Sequence, residues 1–156
     1  MTLGYKPGSE NSTSRFSVAK NTKVKFLLPG KVDLKTNRKI LSLGDLESKI
    51  ACIRDNSQPQ LTLVLTTGVF DLVHPGHIDY FEKAKSFGDI LVVSVVDDKF
   101  VRKGPGRPIF NQDLRLSWLA ALETIDYVVL NGDYGPWKVM KAIKPDAYVK
   151  GYNLTR

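Results

Sequence analysis

A doubly wound α/β fold, with a parallel sheet covered by helices on both faces, is what this 156-residue sequence predicts. Three observations carry that expectation. Residues 61–65 form a Leu- and Val-rich run that passes through Gly68 into His74-Pro75-Gly76-His77, where a helix begins. Continuous hydrophobicity, without alternation, marks a strand buried on both faces. Residues 90–96 repeat that signal, and strand and helix patterns then alternate strictly, as in a sheet wound by right-handed crossovers.

Taken in order, residues 1–23 are rich in Ser, Thr, Asn, Gly and Lys, and 24–34 carry Phe26, Leu27 and Leu28 ahead of Pro29-Gly30. Residues 1–38 are therefore expected as a flexible basic arm, and 39–156 as the folded domain. Ser42 is a plausible N-cap with Asp45 in the first turn, and Leu43, Leu46, Ile50 and Ile53 recur at helical spacing. Cys52 on that helix is expected to be a small buried thiol. The helix after His77 is expected to bury Ile78, Phe81 and Ala84 and to stop at Gly88. A second strand, 90–96, closes at Asp97-Asp98, and a loop over 99–110 holds four basic residues, two glycines and two prolines. Asn111 caps a third helix with Leu114, Trp118 or Leu119, and Leu122 inward. Residues 127–130 form a short strand. Pro136 opens a helix through Ile143 that Pro145 stops, and 147–149 form a fourth strand followed by Lys150-Gly151. Val139, Met140 and Ile143 read as the buried side of that helix.

Composition is ordinary for a globular domain: 42% apolar and 25% charged. No apolar run approaches the roughly 18 residues of a membrane span, and the N-terminus lacks a signal core, so a cytoplasmic protein without membrane contact is expected. A lone Cys52 makes neither an internal disulfide nor a cysteine metal cluster. The net charge of +7 is uneven: residues 1–60 hold 11 Lys/Arg against 5 Asp/Glu, or +6. Those bases are scattered and carry few aromatics between them. They read as a solvated tail, not a nucleic-acid surface.

The functional signal lies at the strand ends. His74 and His77 flank Gly76, so the backbone can approach a ligand closely, and they sit where a helix opens with free N–H groups and the positive end of its dipole. That is an anion site, most often for phosphate. His74, His77, the basic loop after Asp98 and Lys150 all follow strand carboxyl ends, where such sheets bind ligands. Other chemistries fit less well. Metal binding needs a third ligand, and Asp71 or Asp79 is not at a zincin spacing, so no protein-bound metal is expected. Neither a nucleophile elbow, a Walker loop nor a dinucleotide fingerprint is present. A nucleoside triphosphate with cationic donors aimed at its α-phosphate remains the best fit. Bland readings stand beside these. Asp71 could cap its own turn, Lys103 and Arg107 could be solvated charges, and Arg115 could pair with Asp113 or another surface acid.

The stretch Gly68-Val69-Phe70-Asp71-Leu72-Val73-His74-Pro75-Gly76-His77 resembles the signature of the cytidylyltransferase-like nucleotidyltransferase superfamily. Within it, the chain is most similar to the adenylyltransferase domain of ADP-heptose synthase (RfaE/HldE-like) bifunctional proteins. Gly88-Asp89-Ile90-Leu91-Val92-Val93, Lys103-Gly104-Pro105-Gly106-Arg107-Pro108 and Pro145-Asp146-Ala147-Tyr148-Val149-Lys150-Gly151 support it, over about residues 39–152. The resemblance implies a Rossmann-like fold and transfer of AMP from ATP to a sugar 1-phosphate, with Mg²⁺ and release of pyrophosphate. His74, His77 and Lys103 would act on the phosphates. Gly68, Val69, Phe70, Asp71, Gly76, Arg115, Lys150 and Gly151 would bind nucleotide, and Arg107 and Asn153 are further candidates for a phosphate or acceptor contact. A homodimer and a ribokinase-like sugar kinase on the same polypeptide are implied as partners. So is one more C-terminal helix with a Ser/Thr-rich, Arg-containing motif, which Leu154-Thr155-Arg156 does not supply; a longer polypeptide is therefore expected. Cytidylyl transfer to glycerol phosphate or a related alcohol phosphate, and a nucleotide-binding module without turnover, are the alternatives.

Overall fold

A computed structural model of the protein describes residues 38–151 apart from Tyr134. The expected arm, except Arg38, and the candidate Asn153 lie outside the described residues. The described chain runs β1 (Ile40–Leu41), α1 (Leu43–Asn56), β2 (Leu63–Gly68), α2 (Pro75–Lys85), β3 (Ile90–Val96), α3 (Gln112–Ala120), β4 (Tyr127–Asn131), α4 (Trp137–Ile143) and β5 (Ala147–Val149). The sheet is parallel throughout, in the order β1-β4-β3-β2-β5. The winding leaves β2 towards β3 on one side and returns to β5 on the other, so the reversal predicted from sequence falls between β2 and β5.

Alternation along each strand divides the core in two. Val64, Leu91, Val93, Val95 and Val128 pack with Phe81 and Ala84 of α2 and Leu116, Leu119 and Ala120 of α3. Leu63, Leu65, Ile90, Val92 and Val129 pack with Leu46 and Ile50 of α1 and Val139 and Ile143 of α4. Each fully buried Leu, Val, Ile or Phe contributes about 1.5–3 kcal/mol. The central strands need both helical layers, which is why they read as unbroken apolar runs. Carboxylates close the amino ends of the strands: Asp89 accepts from the Thr62 N–H, Asp146 from Leu63 and Asp126 from Leu91. The glycine turn and the basic loop lie at the opposite, carboxyl end.

Several expectations are corrected. A two-residue edge strand, β1, makes five strands where four were expected; two residues are too few to carry a periodic signal. Cys52 is exposed, because α1 turns only Leu46 and Ile50 fully inward. Ile78 is 40% exposed and Leu114 38% exposed. In α3 the buried side is Arg115, Leu116, Leu119 and Ala120. The expected Leu119 is fully buried and Trp118 and Leu122 pack partly buried against the core, but Leu114 faces outward, and Arg115, whose charge marks it as a surface residue in sequence, points inward beside Leu116. α2 ends at Lys85 with Ser86 as its C-cap. Gly88 has a different purpose: a Cβ there would lie 2.7 Å from both the Thr62 carbonyl oxygen and Val64 Cγ2.

Candidate active site

The turn after β2 is built around two unusual backbone positions. Phe70 is in the left-handed region (φ 50°), where an aromatic residue is strained by about 1–3 kcal/mol. Its ring is buried and lies under Gly68, where a Cβ would meet it at 2.7 Å. Gly68 is thus required by the ring of Phe70 two residues on.

His74 caps α2 from extended backbone, and its Nδ1 accepts the Gly76 N–H at 3.1 Å. A neutral imidazole accepting at Nδ1 carries its proton on Nε2, so the exposed side chain keeps a donor for a ligand. Gly76 leaves room for that ring, since a Cβ there would come within 3.0 Å of it. The rings of His74 and His77 lie 4.0 Å apart between centroids, tilted by 41°. Phe70 meets His77 edge-on at 5.6 Å, and Phe81 lies 6.4 Å from it. His77 is half-buried, and its Nδ1 is buried with no hydrogen-bond partner. Burial first, then electrostatic repulsion from His74 whenever that ring is protonated and from Lys103, hold its pKa below the ordinary histidine value of 6.5. The neutral form is thereby favoured, and an arriving anion would offset the second and third of those causes.

The basic loop is tied to this turn by Asp71, which is 5% exposed. Its carboxylate accepts from Arg107 at 2.8 Å and from the N–H groups of Ile109 at 2.8 Å and Phe110 at 3.1 Å. Burial pushes the Asp71 carboxyl up, but the hydrogen bonds from Arg107, Phe110 and Ile109 and the Arg107 charge outweigh it, and the net shift is downward. Asp71 therefore does not cap its own turn, and Arg107, although exposed, is held in an ion pair. Between the anchors, Lys103 is exposed, with Gly104 and Gly106 at positive φ beside it.

Arg115, expected either at the nucleotide or on a surface acid such as Asp113, is fully buried. Its Nε donates to the Phe110 carbonyl at 3.1 Å, one terminal nitrogen to Val69 at 2.5 Å, and the other to Val96 at 2.8 Å and Asp98 at 2.6 Å. Lys150 and Gly151 follow β5 and are exposed. Tyr80, which sequence reasoning passed over, fixes that end: its hydroxyl pairs with Thr66 Oγ1 at 2.5 Å and donates to the Val149 carbonyl at 2.9 Å. Burial, the leading cause, raises its pKa above 10.0. Its only sequence signal was a tyrosine one residue before the buried Phe81. Among the described residues, no group of three or more His, Cys, Asp or Glu side chains could hold a metal ion.

The structure thus brings Gly68, Val69, Phe70, Asp71, His74, Gly76, His77, Arg107 and Arg115 into one connected cluster, with Lys103 near enough to act on His77. Lys150 and Gly151 stand at the neighbouring strand end. The cytidylyltransferase-like family model matches residues 65–156, more than half of the chain. The chain belongs to the cytidylyltransferase-like family. It stands with it among the nucleotidyltransferases. Relatives of this family member include the bifunctional protein HldE of Campylobacter fetus, 42% identical over 76% of this chain and 25% of the relative. The HldE of Helicobacter pylori is 42% identical over 74% of this chain and 24% of its own length. The chain therefore spans about a quarter of the length of these curated relatives. A lipopolysaccharide core biosynthesis protein from Thermoplasma volcanium has a similar structure, with a TM-score of 0.57 and 35% identity over 62% of this chain and 79% of that one.

Proposed function

We propose that this domain transfers AMP from ATP to a sugar 1-phosphate of the heptose type and releases pyrophosphate. The observation that carries the reading is the pair of facing imidazoles at the start of α2, one accepting the Gly76 N–H at Nδ1 and so presenting Nε2, the other half-buried with its Nδ1 unpartnered. In the reaction, a phosphate oxygen of the acceptor attacks the α-phosphorus in line. The bond to the bridging oxygen breaks, and pyrophosphate leaves with the electron pair. Charge grows on the equatorial oxygens, and donors fixed beforehand stabilise it without reorganising. In this reading His74 and His77 supply those donors, and Lys103 holds the leaving phosphates. Lys150 and Gly151 border the base or acceptor.

Likeness to HldE and to a lipopolysaccharide core biosynthesis protein supports a sugar-phosphate acceptor. Mg²⁺ belongs to the proposal as a companion of the triphosphate, whose charge it would help to neutralise. A homodimer, and a sugar kinase on the same polypeptide, belong to it as well. Pyrophosphate release from ATP and from CTP, measured across a panel of sugar 1-phosphates and glycerol phosphate, tests the reading. Turnover with ATP and a heptose 1-phosphate is expected. Preference for CTP with glycerol phosphate would replace the substrate assignment. ATP binding without release in any combination, with downstream sequence present, would sink the enzyme.

A further inference from the structure

We propose that Arg115 is a positioning residue: without touching substrate, it closes a ring of hydrogen bonds that holds Phe70 against His77 and couples the basic loop to that histidine. The inference rests on the nucleotidyl-transfer reading for its kinetic consequences, and on geometry alone for the rest.

The ring can be followed atom by atom. Asp71 accepts the Phe110 N–H, and the Phe110 carbonyl accepts from Arg115 Nε. A terminal nitrogen of Arg115 donates to the Val69 carbonyl, and Val69 is joined through Phe70 to Asp71. Phe70 is the one residue enclosed on both sides, and it is the residue in the left-handed conformation. A strained backbone persists only where its surroundings over-determine it, and here the fork of Arg115 grips one flank and Asp71 the other. The held ring of Phe70 meets His77 edge-on and lies below Gly68. His77 faces Phe70 and Phe81 as apolar neighbours, with His74 and Lys103 as its titratable ones.

The same guanidinium also holds Val96 and Asp98 at the end of β3, and Asp98 in turn accepts the Gln112 N–H. Both ends of the loop bearing Lys103 are therefore fixed to the turn bearing His77. Arg115 has no exposed surface to offer a nucleotide. A lysine in its place would keep the charge but lose the planar fork, so three carbonyls and a carboxylate cannot all be served.

The experiment uses the whole 156-residue chain, in which His74 and His77 are the only histidines. His74→Gln assigns the imidazole resonances, and His77 is titrated by NMR in wild type, Arg115→Lys and Asp71→Asn, each checked for a cooperative melt. In wild type, His77 should titrate below the ordinary histidine range. In both variants it should move up towards that range, as Phe70 is released and water reaches the ring. In the pyrophosphate assay, kcat should fall about tenfold or more while KM for ATP changes by less than about threefold. A raised KM with unchanged kcat would mean that Arg115 binds nucleotide directly, and would overturn the proposal. So would an unmoved His77 titration in a folded variant, or failure of both variants to fold, which would make the ring a stability device only. If wild type releases no pyrophosphate, the proposed reaction fails while the His77 titration still decides the positioning claim.

Discussion

His74 and His77 differ more in surroundings than in chemistry. His74 is exposed and fixed by one hydrogen bond from Gly76, so removing it should disturb the reaction far more than the fold. His74→Ala is expected to lower kcat for pyrophosphate release about a hundredfold or more, with a melting temperature close to wild type. Equal rates in mutant and wild type would refute a role at the phosphate. Gly68 tests the same turn from below. An added methyl would strike the Phe70 ring at 2.7 Å, and that ring can yield only by leaving His77. Gly68→Ala should therefore lose activity like a histidine mutant while remaining folded, as read by circular dichroism beside the kinetic assay. A fully active Gly68→Ala protein would show that Phe70 does not set the histidine.

Among the elements, β2 carries the most. It pairs with β3 on one side and β5 on the other, and ends in the site turn. Two contacts fix its neighbours. Gly88 lets the turn after α2 pass against the Thr62 carbonyl and Val64, so Gly88→Ala is an overpacking change. It should cost about 1–3 kcal/mol in urea unfolding, with unaltered spectra. Tyr80 ties α2 to the buried Thr66 and to the carbonyl of Val149. Tyr80→Phe removes both bonds and should cost about 1–3 kcal/mol, because the Thr66 hydroxyl and the Val149 carbonyl lose a partner. A neutral result in urea would mean water replaces the phenol. The basic loop, by contrast, has little core of its own. Its form comes from Asp71, Asp97, Asp98 and Arg115, so it stays ordered only while those polar bonds do.

For the whole molecule, acid is the revealing condition. His77 has its folded pKa lowered, so the folded state binds its proton less readily than the unfolded chain does. Its contribution to stability is complete above the ordinary value of 6.5 and is lost as pH falls below it towards the folded pKa. Asp71 is also lowered, and its contribution is complete above 3.8 and disappears as pH falls further, through its folded value. Unfolding midpoints in urea should therefore decline from neutral pH downward in two stages, and Asp71→Asn should flatten the more acid one and, as His77 returns towards its ordinary value, weaken the other too. A single undivided decline, unchanged in that variant, would show that the Asp71 anchor adds no pH-dependent stability. A phosphate-bearing ligand offsets the charges lowering His77, so binding should move its titration upward.

The fold was legible because a two-sided sheet has to be written as continuous apolar strands. Residues 90–96 were delimited without error, Ser42 and Asn111 do cap their helices, and the family signature at Gly68–His77 lies at the strand–helix junction where it was expected. These features depend on neighbours a few residues apart, and local pattern determines them. What the sequence could not decide were contacts between distant segments. Asp71 meets residues 107, 109 and 110, and Arg115 meets residues 69 and 96. Read alone, each was a charge that could face a ligand or water. Only the tertiary structure buries them: the turn after β2 and the loop after β3 come together, so that Asp71 accepts the loop's N–H groups and Arg115 donates to the carbonyls of Val69 and Val96. The turn from Gly68 to His77 thus announces a phosphate site in its own residues, while the posture of its histidines is set from nearly forty residues away.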